Sequence, residues 1–220
     1  MAQAYGIQEI SLQDALPAVF EGEDTGTSDV WRCGLTLSKG NRYIISAESG
    51  TGKSSLCSFI YGSRRDYLGT ISFNGKDIRK FHIHKWQKLR RTSLAYLPQD
   101  LGLFPELSDW ENIVLKNDLT GHFTPERIEH LLDRLGIAHR RDFPVRKMSI
   151  GQQQRVGIIR ALAQPFDFLL LDEPVSHLDR DNNLLVASIA EEEASRQGAA
   201  IVATSVGNHL LLSNPITLHL

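Results

Sequence analysis

Arg42-Tyr-Ile-Ile-Ser46 followed by Ala47-Glu48-Ser49-Gly50-Thr51-Gly52-Lys53-Ser54 and then Ser55-Leu-Cys-Ser-Phe-Ile60 is the stretch that decides the fold. The first piece is apolar and reads as a buried strand, and the last reads as a helix. The piece between them follows the phosphate-binding pattern G-x-x-x-x-G-K-[ST], with Ala47 in place of the first glycine. Small residues let successive backbone N–H groups turn toward phosphate oxygens at the positive end of a helix. In such a loop Lys53 reaches the β- and γ-phosphates, and the Ser54 hydroxyl sits on Mg²⁺. Alanine is compatible with the first position wherever the backbone keeps a negative φ. The competing reading is a Gly/Ser-rich turn without a ligand, and the strand–loop–helix setting outweighs it.

The chain has 220 residues, enough for one large domain or for a core with an attached lobe. Hydrophobic content of 41% and charged content of 23% are ordinary for a globular protein with a sizeable core. A net charge of −2 argues against a chain whose main task is coating nucleic acid, so no nucleic-acid partner is expected. Cys33 and Cys57 form no C-x-x-C pair and read as core residues. No apolar run approaches the ~20 residues that span a bilayer. The start, Met-Ala-Gln-Ala-Tyr-Gly, lacks the blocks of a signal peptide. A cytoplasmic protein is expected, needing a partner to act across a membrane.

Outward from the decisive stretch, Ile7–Leu12, Val30–Leu37 and Thr70–Phe73 read as strands, with a polar loop over Gly22–Ser28 and a hairpin signal at Asn74-Gly75. Ser93–Leu97 is a short apolar strand closed by Pro98. Helices dominate from Gln99 to Gln164: one over Asp109–Lys116, and one over Thr124–Leu135 that opens on Thr-Pro-Glu-Arg and closes at Gly136. Strands return at Phe166–Leu171, Ala199–Ala203 and Ile216–Leu220, with Asp179–Gln197 long enough for a crossover helix. This alternation implies a parallel sheet covered on both faces, with the helical stretch inserted as a lobe. The expected division is a core with a β subdomain over 1–98 and 165–220 and a helical subdomain over 99–164. The basic stretch Arg79–Arg91 reads as a solvated helix face, and Trp31, Trp86 and Trp110 as packing residues.

Phe168-Leu-Leu-Leu-Asp172-Glu173 is an apolar strand that ends in two acids about 120 residues beyond Lys53. A buried strand delivers carboxylates to its C-terminal edge, where open α/β sheets bind ligands. In that position Asp172 holds Mg²⁺ and Glu173 polarises the attacking water. Ser149-Ile150-Gly151-Gln152-Gln153-Gln154-Arg155 opens another helix with Ser149 as a good N-cap; a helix start is a natural anion site, but taken alone this one reads better as an ordinary capped helix.

In this order the motifs resemble the ATP-binding subunit of the ABC family, over about Val30 to Leu220. Tyr96-Leu-Pro-Gln99-Asp100 resembles the Q-loop, Met148–Gln152 the signature, Leu169–Glu173 Walker B, and Ser176-His177-Leu178-Asp179 the D-loop. The resemblance implies an α/β P-loop NTPase core with a parallel central sheet, an antiparallel β subdomain and an inserted helical lobe. It implies ATP and Mg²⁺ as ligands, with Ala47, Glu48, Ser49, Gly50, Thr51, Gly52, Lys53, Ser54 and Ser55 around the phosphates. Ser54, Gln99 and Asp172 then serve the metal, and Glu173, Gln99 and the residue at Ser205 serve catalysis. It further implies a head-to-tail dimer, or pseudo-dimer, in which Ser149, Gly151 and Gln152 reach the nucleotide held by the facing subunit. Phe20 is the candidate to stack on adenine, against an equally good reading as a core residue.

Three positions depart from the family pattern: Ala47, Ile150 in place of the first signature glycine, and Ser205 where the histidine that contacts the γ-phosphate is expected. Serine is shorter and stays neutral, so it makes no charge-assisted bond to phosphate. Losing one such transition-state contact costs roughly 10²–10³ in rate. His209, four residues on, either faces the site or, as the preferred reading, starts the next helix on the surface. The expected function is an ATPase subunit of a membrane ABC transporter, slowed by Ser205 and peripheral on the inner membrane face through a separate permease. Leu101, Leu103 and Phe104 would dock to that permease. A chain stopping at its last core strand is expected to carry no regulatory domain, and its nearest resemblance is to the lipoprotein-export and macrolide-export groups. The alternative is a soluble ABC-type switch that dimerises on ATP without transport.

Overall fold

The computed structural model describes residues 6–23, 27–48 and 50–220. Thus Ser49, the first five residues, and residues 24–26 of the polar loop lie outside the described residues. The elements run β1 (Glu9–Pro17), β2 (Gly34–Ser38), β3 (Arg42–Ser46), α1 (Lys53–Tyr61), β4 (Tyr67–Phe73), β5 (Lys76–Asp77), α2 (Ile83–Thr92) and β6 (Leu94–Leu97). They continue as α3 (Asp109–Asn117), α4 (Pro125–Arg134), α5 (Ile150–Leu162), β7 (Phe168–Asp172), α6 (Arg180–Gln197), β8 (Ala200–Ser205) and β9 (Ile216–His219). A five-stranded sheet in the order β6-β7-β8-β3-β9 is parallel throughout, and a second sheet in the order β2-β1-β4-β5 is antiparallel. Helices α3 to α5 lie between β6 and β7 in the chain. This is the expected fold class.

Every residue of β7 and β8 is buried, which is what a parallel strand covered on both faces requires. The two-residue period of a strand divides them between two cores. Leu169, Leu171, Ile201 and Ala203 join the core shared with α3 to α6. Phe168, Leu170, Ala200 and Val202 join the core shared with α1, α2 and the antiparallel sheet. The sheet therefore clamps the helical part and the β part onto one frame.

Its register sets the functional edge. Ser46 pairs with Ser205, and Asp172 pairs with Thr204, so β3, β7 and β8 end at one level. The chain leaves that edge three times: into the phosphate loop, into Glu173, and into the segment after Ser205.

The early strands begin and end elsewhere than the apolar pattern suggests. β1 extends to Pro17 through a register shift between Gln13 and Leu16, where Asp14 has φ 51°. Gly69 on β4 (φ 72°) lets the chains approach there, since a Cβ would lie 2.2 Å from the Asp14 carbonyl oxygen. Val30 and Trp31 are buried but not in a strand, because both amides donate to the Ser28 hydroxyl in a turn. Cys57 is buried, whereas Cys33 is partly exposed and no core residue. Trp31 and Trp86 are buried; Trp110 is partly buried and carries the Arg141 guanidinium at 3.8 Å. After β8 the chain is irregular up to β9, so His209 starts no helix. No helix among the described residues is long and apolar enough to cross a membrane.

α3 starts with a reciprocal cap between Ser108 and Glu111, and its next residue, Asp109, is wholly buried. Burial pushes the Asp109 carboxyl up to about 6, against the bond it accepts from the Trp110 amide at 2.5 Å; Asp142 raises it and Arg141 lowers it. A carboxyl raised by folding binds its proton more tightly in the native state, so stability falls as pH rises from about 4 to about 6. Asp109→Asn is expected to raise the thermal midpoint above pH 6 and to flatten that fall, as scanning calorimetry across pH would show.

Candidate nucleotide-binding site

α1 begins at Lys53 after Gly52, which has φ 98° and provides no side-chain cap. The first-turn amides thus have no partner within the helix, which is the anion-binding arrangement. A Cβ on Gly52 would meet Phe20, Trp31 and Pro17 at 3.2–3.3 Å, so glycine is required by both backbone and crowding. The Trp31 indole N–H donates to the Thr51 carbonyl (3.0 Å), and the Thr51 hydroxyl to the Glu48 carbonyl (3.0 Å). Ala47 is tied to β8 by its amide, which donates to the Ser205 carbonyl (3.3 Å). The Lys53 side chain is buried, and its ammonium donates to the Glu48 carbonyl. The loop is therefore a closed turn with the lysine charge folded inside it. The Ser55 hydroxyl is bonded to Arg64 (2.9 Å).

Next to the start of α1, Ser54, Gln99 and Asp172 come together with Tyr96, Pro98 and Asp100 around an open recess of about 370 Å³. Asp172 is almost wholly buried. Its Oδ1 accepts the Thr204 hydroxyl at 2.7 Å, while its Oδ2 is buried with no partner. A buried carboxylate oxygen without a donor calls for a compensating ion or water. Hydroxyl, amide carbonyl and carboxylate oxygens are the donor set that suits Mg²⁺. The residues present therefore fit that metal. Behind Asp172, burial and then the Asp172 charge push the Cys57 thiol well above its ordinary range, so it stays a neutral wall.

Glu173 follows Asp172 in a left-handed conformation, φ 51°, although it is not glycine and precedes Pro174. A residue before proline strongly prefers extended backbone, so this turn stores strain at the site. Its amide donates to the Thr204 carbonyl (3.2 Å) and hydroxyl (3.3 Å), and its carbonyl accepts from Gln154 (3.1 Å).

The signature segment stands apart. Ser149 and Gln152 cap α5 reciprocally: the Gln152 amide donates to the Ser149 hydroxyl (3.3 Å), and the Ser149 amide to the Gln152 side chain (3.0 Å). Ser149 is exposed, and Ile150 is 49% exposed, so its side chain packs outward. Among the described residues, no side-chain hydrogen bond of this segment reaches the phosphate loop, and it meets the D-loop through Gln154 one turn on. Gln154 joins Glu173, Ser176 and the His177 amide. Gly151 lies so close to that loop that a Cβ would sit 3.2 Å from the His177 carbonyl.

Ser205 is buried, and its hydroxyl is paired with His209 Nδ1. His209 is held in place by Asn183, which accepts from Leu211 (3.0 Å) and donates to the His209 carbonyl (2.8 Å). Asn208 donates to the Val175 carbonyl (2.8 Å), fastening this segment to the loop after β7. Phe20 is partly buried against the core of the antiparallel sheet, with its ring beside Gly52. Thr204, Gln154 and Asn208 escaped sequence reasoning, because hydroxyl and amide side chains carry no pattern until the strand register is known.

The family model described as ABC transporter matches residues 31–176. The chain belongs to the ABC transporter family. It is an ATPase of that family by fold and motif. It is 31% identical to the lipoprotein-releasing system ATP-binding protein LolD 1 of Caulobacter vibrioides, over 89% of each chain. It is 33% identical to the macrolide export ATP-binding/permease protein MacB of Campylobacter jejuni over 76% of its own length, and it spans only 26% of that relative. Among solved structures, the dimeric ABC transporter cassette MJ0796 superposes with a TM-score of 0.74 at 23% identity, covering 89% of this chain and 87% of that one.

The close approach of Gly151 gives a direct test of the ABC signature packing. Gly151→Val is expected to wedge α5 away from His177 and to cost about 1–3 kcal/mol, read as a lowered denaturation midpoint in urea.

Proposed function

We propose that this chain powers a membrane transporter by binding Mg·ATP between two head-to-tail copies, or between itself and a paralogous subunit, and hydrolysing it. The observation that carries the reading is the buried, unpartnered oxygen of Asp172, a residue that lines one recess with Ser54 and Gln99 beside the uncapped start of α1. On ATP binding, Lys53 exchanges the Glu48 carbonyl for phosphate oxygens, and the free amides of α1 take the rest. Bound Mg²⁺ would be held by Ser54, Gln99 and Asp172 and would neutralise charge on the β- and γ-phosphates. Glu173, held in its strained turn, orients the attacking water. The exposed Ser149–Gln152 segment is available to a facing copy, where Ser149 and the Gly151 amide reach the γ-phosphate. ATP then joins the two subunits, and hydrolysis releases them.

Transport is assigned to a separate permease that docks on the helical part. Phe104, 47% exposed in the loop after Gln99, supports a contact there. Its neighbour Leu101 is buried and contributes by shaping the loop, while Leu103 packs partly against the core of the helical part. The named relatives are transporter components, and the chain takes a cytoplasmic-face position in this reading.

One observation favours the second reading, a nucleotide switch without transport. Ser205 replaces the phosphate-facing histidine, and its hydroxyl is already engaged by His209. Slow hydrolysis is the consequence in either reading. Steady-state ATPase assays on the purified chain are expected to show slow turnover that Glu173→Gln abolishes without loss of ATP binding. Ser205→His is expected to raise the rate by roughly tenfold or more, toward the 10²–10³ that one transition-state contact is worth. Fast wild-type turnover that Ser205→His leaves unchanged would contradict the assignment of Ser205.

A further inference from the structure

We propose that Thr204 is a positioning residue whose hydroxyl sets the metal-facing orientation of Asp172 and the strained turn of Glu173 together. The inference rests on the nucleotide-site reading above and adds a residue that none of the motifs contains.

Thr204 is wholly buried on β8, directly opposite Asp172 in the parallel ladder. A strand residue in an ordinary core would be apolar here, since a buried hydroxyl must find partners. Thr204 finds two. It donates to Asp172 Oδ1 at 2.7 Å, the length of a charge-assisted bond to a carboxylate. It also accepts from the Glu173 amide at 3.3 Å, alongside its own carbonyl at 3.2 Å. One hydroxyl can do both, having one donor and two lone pairs.

The consequences differ for the two acids. A carboxylate on a free side chain turns easily about its last bond, because that torsion is broad. With Oδ1 fixed by Thr204, Oδ2 is left buried with no protein donor on a residue that lines the recess, which leaves it available to a divalent cation. For Glu173, the amide bonds to Thr204 hold a left-handed φ that Pro174 disfavours. The same hydroxyl therefore couples metal capture to the placement of the water-orienting acid. Asp172 has no other hydrogen-bond donor from the chain among the described residues, so the duty falls on Thr204 alone.

The test separates hydroxyl from packing. Thr204→Val keeps the shape and removes the hydroxyl; Thr204→Ser keeps the hydroxyl and removes the methyl; Thr204→Ala removes both and is measured beside them. ATP affinity is determined by calorimetry in EDTA and across a Mg²⁺ titration, with thermal melting of each variant as a control. The expected result is unchanged ATP affinity in EDTA for all three. The Mg²⁺ concentration needed for half the affinity gain should rise about tenfold or more in the Val and Ala variants, as for other residues that orient a metal ligand, and stay within about twofold of wild type in Thr204→Ser. A Thr204→Val protein with wild-type Mg²⁺ dependence overturns the proposal, and so does Thr204→Ser impaired as much as Thr204→Val. A wild type that binds no ATP at all overturns the nucleotide reading beneath it, which the variant comparison leaves untouched.

Discussion

The structure depends on the parallel register of β3, β7 and β8. These strands are buried on both faces, so a slip by one residue would turn each apolar set into the wrong core. With Ser46 opposite Ser205 and Asp172 opposite Thr204, three chain exits fall on one edge. The phosphate loop, the acid pair and the segment carrying Ser205 are brought together by that edge, and Asn208 adds a tie between the last two. Ala47 shows the link at its most direct, because its amide is bonded to the Ser205 carbonyl across the sheet.

Around this edge the site is poised rather than complete. Lys53 is turned inward onto Glu48, the first amides of α1 lack a cap, and one oxygen of Asp172 has no donor. The helix amides and the Asp172 oxygen are groups whose polar requirement the protein leaves for something else to meet, while Lys53 is held meanwhile by the Glu48 carbonyl. The signature helix is the opposite case. Its start carries a reciprocal cap between its own Ser149 and Gln152, and it is anchored through Gln154 to the Glu173 carbonyl. A rigid, exposed helix start joined to the catalytic turn is a suitable element for sensing a neighbour. The buried amide of Gln154 links them through backbone contacts at Glu173 and His177.

Much of this was legible in the sequence because it is local. The phosphate loop, the acid-terminated strand and the helix starts at Ser108, Thr124 and Ser149 each announce themselves within a few residues. What stayed hidden depends on contacts between distant segments. Val30 and Trp31 look like strand residues by pattern, yet a single Ser28 hydroxyl holds them in a turn. The bulge at Asp14 is visible only with Gly69 packed on it. Of the two readings the pattern allows for His209, the surface helix fails and the one facing the site holds, in an irregular segment beside Ser205. Thr204 is one more apolar-strand neighbour until its partner across the ladder is known.

In the proposed function the sheet edge and the start of α1 form one Mg·ATP site in each chain. Isothermal titration of ATP with Mg²⁺ into the wild type and into Lys53→Ala tests it most directly. The account predicts one ATP per chain, strengthened by Mg²⁺, and at least a tenfold loss of affinity in Lys53→Ala, about 1.4 kcal/mol or more. Binding that is absent in the wild type, or that is the same in Lys53→Ala, would contradict it.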